Sequence, residues 1–121
     1  MAYRIMFVDD ELSMRDTLTQ VLTLHGFEVT SSATVAEALS NIASRSFDVL
    51  VCDLNIDQTN DGFTVVSAMR RTQPDCITFI LAGDFASETD LHSHRGQVDD
   101  YLMKPLPISE LITAITEKLK L

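Results

Sequence analysis

Short apolar runs alternate with segments of helical period along the whole chain, and this alternation restricts the fold more than any single residue does. Residues 3–8 are brief and apolar at their centre, which reads as a strand buried on both faces. Residues 27–31, 47–53, 76–81 and 98–103 read as further strands, with 47–53 the clearest and 76–81 again two-sided. Between them, Met14, Leu18, Val21 and Leu22 repeat at helical spacing, and Gly26 stops that helix. Thr34 followed by Glu37 is a capping-box pattern, and Leu39 and Ile42 continue an apolar helical face. Phe63, Val66 and Met69 form a third stripe, closed by Pro74, and Ile108, Leu111, Ile112, Ile115 and Leu119 form the last. Lys118 and Lys120 lie near the negative end of that last helix. Residues 86–97 contain little apolar material beyond Leu91 and predict a short, loosely held helix. Five strands and five helices in strict alternation imply parallel strands, right-handed crossovers and helices on both sheet faces.

Charged residues stand where the apolar runs end. Asp9 and Asp10 close the first run, Asp53 the third, and Lys104 the fifth, with Pro105 after it. In a parallel α/β sheet the carboxyl ends of the strands share one edge, and ligands bind in the crevice there. Three carboxylates and one ammonium therefore converge. Like charges held close cannot all ionise cheaply without a cation. A divalent metal answers the repulsion and leaves Lys104 free to hold an anion, an arrangement suited to moving a phosphoryl group onto a carboxylate.

Composition removes other classes. The 121 residues suffice for one domain, and 45% hydrophobic content is ordinary for a globular chain. A net charge of -9 argues against unassisted binding to nucleic acid or anionic lipid. The adjacent pair Arg70 and Arg71 reads as a solvated helix end. No apolar stretch is long enough to span a bilayer, and the first residues do not form a signal peptide. Cys52 and Cys76 lie in strand-like runs and read as buried free thiols, so the expected compartment is a reducing cytoplasm. His25, His92 and His94 have no ligand spacing to carboxylates or cysteines and read as surface residues.

With these pieces placed, the chain resembles a receiver domain of two-component response regulators. The likeness spans its whole length and rests on VDDE, VCDLN, DGF, LAG and DDYLMKP, in order and at the family's spacing. The resemblance implies a single doubly wound (βα)5 domain over residues 1–121, flavodoxin-like, with a parallel sheet in the order 2-1-3-4-5. It implies that Asp53 is the phosphoacceptor and receives its phosphoryl group from a phosphohistidine of a sensor kinase or phosphotransfer protein. Asp10, Asp53 and the backbone carbonyl of Asn55 would hold Mg²⁺ directly, and Asp9 through a water. Lys104 would pair with the phosphoryl oxygens and, before transfer, with Asp53. A cis peptide is expected between Lys104 and Pro105. Tyr101 matches the family's aromatic switch, against which stands a plain half-buried strand tyrosine. Such a chain is a substrate that assists its own modification rather than an enzyme. Its partners would be the kinase, an effector domain or target protein, and a second copy through the face of the fourth helix, fifth strand and fifth helix.

Two positions depart from the family pattern. Ala82, followed by Gly83, stands where a Ser or Thr normally bonds a phosphoryl oxygen. Asp57 stands where Pro is expected, and one extra residue precedes Asp61 and Gly62, which predicts a more mobile and more acidic loop beside the metal. An aspartyl-phosphate phosphatase would need a second carboxylate two residues after Asp53, and Asn55 is there instead. A flavin or dinucleotide binder would need a Gly- or Ser/Thr-rich phosphate loop after the first strand, and DDELSM lacks one. Ala82 favours a different alternative, an atypical receiver that docks partners constitutively and switches weakly.

Overall fold

A computed structural model describes residues 2–83 and 86–121. The elements are β1 (Arg4–Val8), α1 (Leu12–Leu24), β2 (Glu28–Ser32), α2 (Val35–Ser44), β3 (Val49–Asp53), α3 (Gly62–Thr72), β4 (Ile77–Ala82), α4 (Glu88–Ser93), β5 (Asp100–Met103) and α5 (Ile108–Leu119). The five strands form one parallel sheet, as the alternation implies, in the order β2-β1-β3-β4-β5, the doubly wound flavodoxin-like arrangement that the resemblance implies.

Strand periodicity sorts the core into two layers. Met6, Val8, Leu50, Cys52 and Ile80 face one side and pack with Ala38 and Ile42 of α2 and Val65, Val66 and Met69 of α3. Ile5, Phe7, Val49, Val51, Phe79 and Leu81 face the other and pack with Leu18 and Leu22 of α1 and Leu111 and Ile115 of α5. Both predicted thiols, Cys52 and Cys76, are buried and free. The fourth helix is as short as expected: α4 has six residues and buries none fully, with Leu91 partly buried against the core.

All five strands begin later than their apolar runs, and in β2 to β5 the leading N–H groups are used elsewhere. Phe27 donates to Leu22 O at 3.1 Å and closes α1, where Gly26 has φ of 90°. Phe47 donates to Gln73 Oε1 at 2.7 Å. Cys76 donates to Gln73 O and Val98 to His94 O, so both belong to turns. At α2, Thr34 Oγ1 accepts from Glu37 N–H at 3.1 Å, while the Glu37 carboxylate accepts from Ala33 N–H, one residue earlier than a capping box requires.

Arg70 departs from the expected solvated helix end. Its guanidinium donates to Gln97 O, Pro74 O, Cys76 O, Thr78 Oγ1 and the Asp99 carboxylate, at 2.5–3.1 Å. Asp99 also accepts from Thr78 N–H at 2.7 Å. This knot ties α3 to the amino ends of β4 and β5.

Candidate functional site

Register brings the charged strand ends together. Val8 lies opposite Cys52, so Asp9 and Asp53 leave neighbouring strands at the same level. Asp53 lies opposite Leu81 and Ala82 opposite Met103, so Lys104 emerges at the corresponding level beyond β5. The Lys104 N–H donates to Ala82 O at 2.7 Å and extends that ladder by one rung. The Lys104–Pro105 peptide is cis, as the resemblance implies.

Lys104 Nζ lies 3.1 Å from Asp53 Oδ1 and 3.9 Å from Asp9 Oδ2. Carboxylate oxygens of Asp9, Asp10 and Asp53 lie within 4.8 Å of one another, with Asp10 exposed and the other two buried. Asp9 Oδ1 accepts from Glu11 N–H at 2.9 Å. Asp9 Oδ2 is buried without a hydrogen-bond partner among the described residues. Arg15 Nη1 donates to the Asp9 carbonyl at 2.7 Å and clamps this turn from α1, a role that no local sequence pattern announces.

The electrostatics follow from crowding. Burial pushes the Asp9 carboxyl up to about 6; Glu11 N–H opposes the shift, the Asp53 charge adds to it, Lys104 opposes it, and Asp10 adds to it. Burial likewise raises Asp53, Lys104 draws it back down, and Asp10 raises it. Among the described residues, three carboxylates face one ammonium, and one buried oxygen has no hydrogen-bond partner. The donors are all oxygens, so the residues fit a hard divalent cation that retains water ligands.

The β3–α3 loop carries the expected acidic side chains, and they bond to its own backbone and to α2. Asp61 accepts from the N–H groups of Ile56, Asp57 and Gln58 at 2.7–2.9 Å. Asn55 Oδ1 accepts from Asn60 N–H at 2.7 Å. Asp57 turns to α2, where it accepts from Val35 N–H at 3.1 Å, and its charge meets the positive helix end there. Gly62 permits the close approach of α3 to β3: a Cβ there would collide with Asp53 O and press on Leu54. Its N–H donates to Leu54 O at 2.8 Å.

Ala82 is fully buried and Gly83 half-buried beside Lys104. Tyr101 is half-buried against the core layer that contains Ala82. Its hydroxyl donates to Leu91 O of α4 at 2.7 Å. His94 is not a plain surface residue: its ring stacks on Phe63 with centroids 3.7 Å apart. An apolar groove of about 610 Å³, lined by Met14, Leu18, Leu106, Ile108 and Leu111 among others, opens beside Lys104. Among the described residues, no helix is long and apolar enough to cross a membrane.

Comparison with known proteins gives one consistent picture. Residues 5–116 match the family described as the response regulator receiver domain. The chain is 32% identical over 117 residues to the transcriptional regulatory protein PrrA of Mycobacterium leprae, covering 97% of this chain and 50% of that one. It is 35% identical over 121 residues to the response regulator MprA of Mycobacterium bovis, covering 99% and 52%. The chain thus spans about half the length of these relatives. A crystal structure of a CheY-like response regulator receiver domain protein from Methanospirillum hungatei superposes with a TM-score of 0.90 at 28% identity, covering 99% of this chain and 95% of that one.

Proposed function

The chain belongs to the response regulator receiver domain family, and from that premise we propose that it is a phosphorelay switch whose acceptor is Asp53. The observation that carries this reading is the 3.1 Å pair between Lys104 Nζ and Asp53 Oδ1 inside a cluster of three carboxylates. In the transfer, an Asp53 oxygen forms a bond to phosphorus as the P–N bond of a partner phosphohistidine breaks. The partner's imidazole departs as the leaving group. Lys104 moves its charge from Asp53 to the phosphoryl oxygens. Asp10, Asp53 and the Asn55 carbonyl would hold Mg²⁺, and Asp9 would act through a water. Bound Mg²⁺ supplies the charge neutralisation that the transferring group needs. The β3 strand, buried throughout, keeps the nucleophile on a rigid base.

The proposed donor is a histidine kinase or phosphotransfer protein, seated over the groove beside Lys104. The output belongs to an effector domain or target protein, and a second copy can dock through α4, β5 and α5. Direct nucleic-acid contact by these residues is disfavoured by the charge of -9. We assign the domain to the cytoplasm, with no membrane role and no turnover of a separate substrate.

The test is labelling by acetyl phosphate with Mg²⁺, read by intact-mass spectrometry. Wild type should gain one phosphoryl group and Asp53→Asn none. Equal labelling of both would sink the assignment. A second reading, a docking module with weak switching, draws on Ala82: a buried methyl group cannot bond a phosphoryl oxygen. It predicts normal labelling with little change in partner affinity.

A further inference from the structure

The unusual β3–α3 loop does more than surround the site. Asn60 sits in the left-handed region at φ of 62°, and both its main chain and its side chain are engaged. Its N–H donates to Asn55 Oδ1 at 2.7 Å. Its side-chain Nδ2 donates to Asp90 Oδ2 at 2.9 Å, across 30 residues of sequence. Asp90 is in the first turn of α4, where its N–H bonds Ser87 Oγ and its carbonyl lies 3.0 Å from His94 Nδ1. His94 in turn stacks on Phe63 of α3. α4 buries no residue fully; Leu91 packs partly buried against the core, and polar ties such as these add to that hold.

We propose that Asn60 couples the acceptor site to α4, taking the place of a hydroxyl at position 82. This rests on the phosphoacceptor reading. When the Asn55 carbonyl is drawn into the loaded site, the Asn55 side chain carries Asn60 with it. The carboxamide of Asn60 then pulls on Asp90 and tilts or releases the first turn of α4. The signal therefore leaves along the loop that follows Asp53. Asn60 is a positioning residue: it touches neither phosphoryl group nor cation.

The experiment follows amide chemical shifts in wild type, Asn60→Gly, Asp90→Ala and the double variant on adding Mg²⁺ and beryllofluoride, with acetyl phosphate labelling measured in parallel. Glycine keeps the left-handed backbone at position 60, and Asp90 lies on a helix with no buried residue, so both variants retain the fold. In wild type, residues 88–95 should shift along with residues 53–57. In each single variant, residues 53–57 should still shift and labelling at Asp53 should persist, while the response of residues 88–95 falls at least about twofold. The double variant should lose no more than either single one, as expected of two groups in one link. Equal α4 responses in wild type and both variants would overturn the coupling while leaving the acceptor site intact. Absence of labelling and of shifts at residues 9, 10 and 53 in wild type would instead remove the phosphoacceptor reading, and the coupling with it.

Discussion

Two polar clusters stand at opposite ends of β4, and they differ in how completely they are satisfied. At the amino end, Arg70, Thr78 and Asp99 hold one another, and the guanidinium also meets three carbonyls. At the carboxyl end, three carboxylates among the described residues crowd around Lys104, and Asp9 Oδ2 has no hydrogen-bond partner among them. The first cluster is closed and its work is structural. The second retains an excess of negative charge and calls for a cation. Charge beside a strand end marks neither role by itself; the accounting of partners does.

Breaking each cluster should therefore have opposite effects on stability. Arg70→Ala leaves Asp99, Thr78 and three carbonyls short of a donor. It should cost about 3 kcal/mol, the upper end for hydrogen bonds to a charged group, because several are lost at once, while the partly solvated pair with Asp99 itself adds little. Urea unfolding measures it, and a loss within the scatter of a surface substitution would show that the knot is ornamental.

Asp9→Asn should instead stabilise the metal-free protein. The Asp9 carboxyl titrates at about 6 in the fold against an ordinary 3.8, so the folded chain holds its proton more tightly than the unfolded one. Stability from this group is full below the ordinary value and is lost as pH rises through about 6. The variant should therefore exceed wild type near neutral pH by up to roughly 3 kcal/mol, with the gap closing in acid. Denaturation in EDTA across that pH range decides it, and a gap independent of pH would remove Asp9 as its source.

Mg²⁺ sharpens the same contrast. At about a hundred times its dissociation constant it should add roughly 2.7 kcal/mol. Asp10→Ala should abolish most of this gain, and Arg70→Ala should preserve it. Thermal melts at constant ionic strength test both, and equal gains in the two variants would separate the metal from the acidic cluster.

The smallest effect is expected between the clusters. Tyr101→Phe removes the hydroxyl bonded to Leu91 O and should cost about 1 kcal/mol, confined to α4. Hydrogen exchange should quicken at residues 88–95 while acetyl phosphate labelling is unchanged. Protection that falls equally across the whole sheet would place Tyr101 in the global core instead.

Sequence reveals the site better than its surroundings. Asp9, Asp53 and Lys104 are legible because strand ends in a parallel sheet must share an edge, and the observed register needs no adjustment to bring them together. Strand starts are less legible, since Phe27 and Phe47 look like strand residues while their N–H groups serve turns. Arg70 is illegible for another reason: its carboxylate partner lies 29 residues away, and an arginine at a helix end reads alike whether solvated or tied. Asn60 and Asp90 share that difficulty. The Asp-Gly step at residues 61–62 announces a turn, but not that one carboxylate would collect three consecutive N–H groups.

The two buried thiols give the protein an internal gauge of opening. Cys52 lies in a central strand with its Sγ 3.3 Å from Asp53 O, and burial raises its pKa well above the ordinary value. Cys76 precedes the start of β4, at the end of the sheet away from the acceptor, and burial pushes it up to about 12. Neither ionises in the native state near neutral pH, so a thiol-specific reagent must wait for a fluctuation that uncovers the sulfur. Cys52 should then react at a rate governed by disruption of the whole sheet, and Cys76 by the cheaper parting of the turn at Gln73. The ratio of the two alkylation rates would time how far local breathing outruns collapse of the entire domain, without any label introduced by mutation.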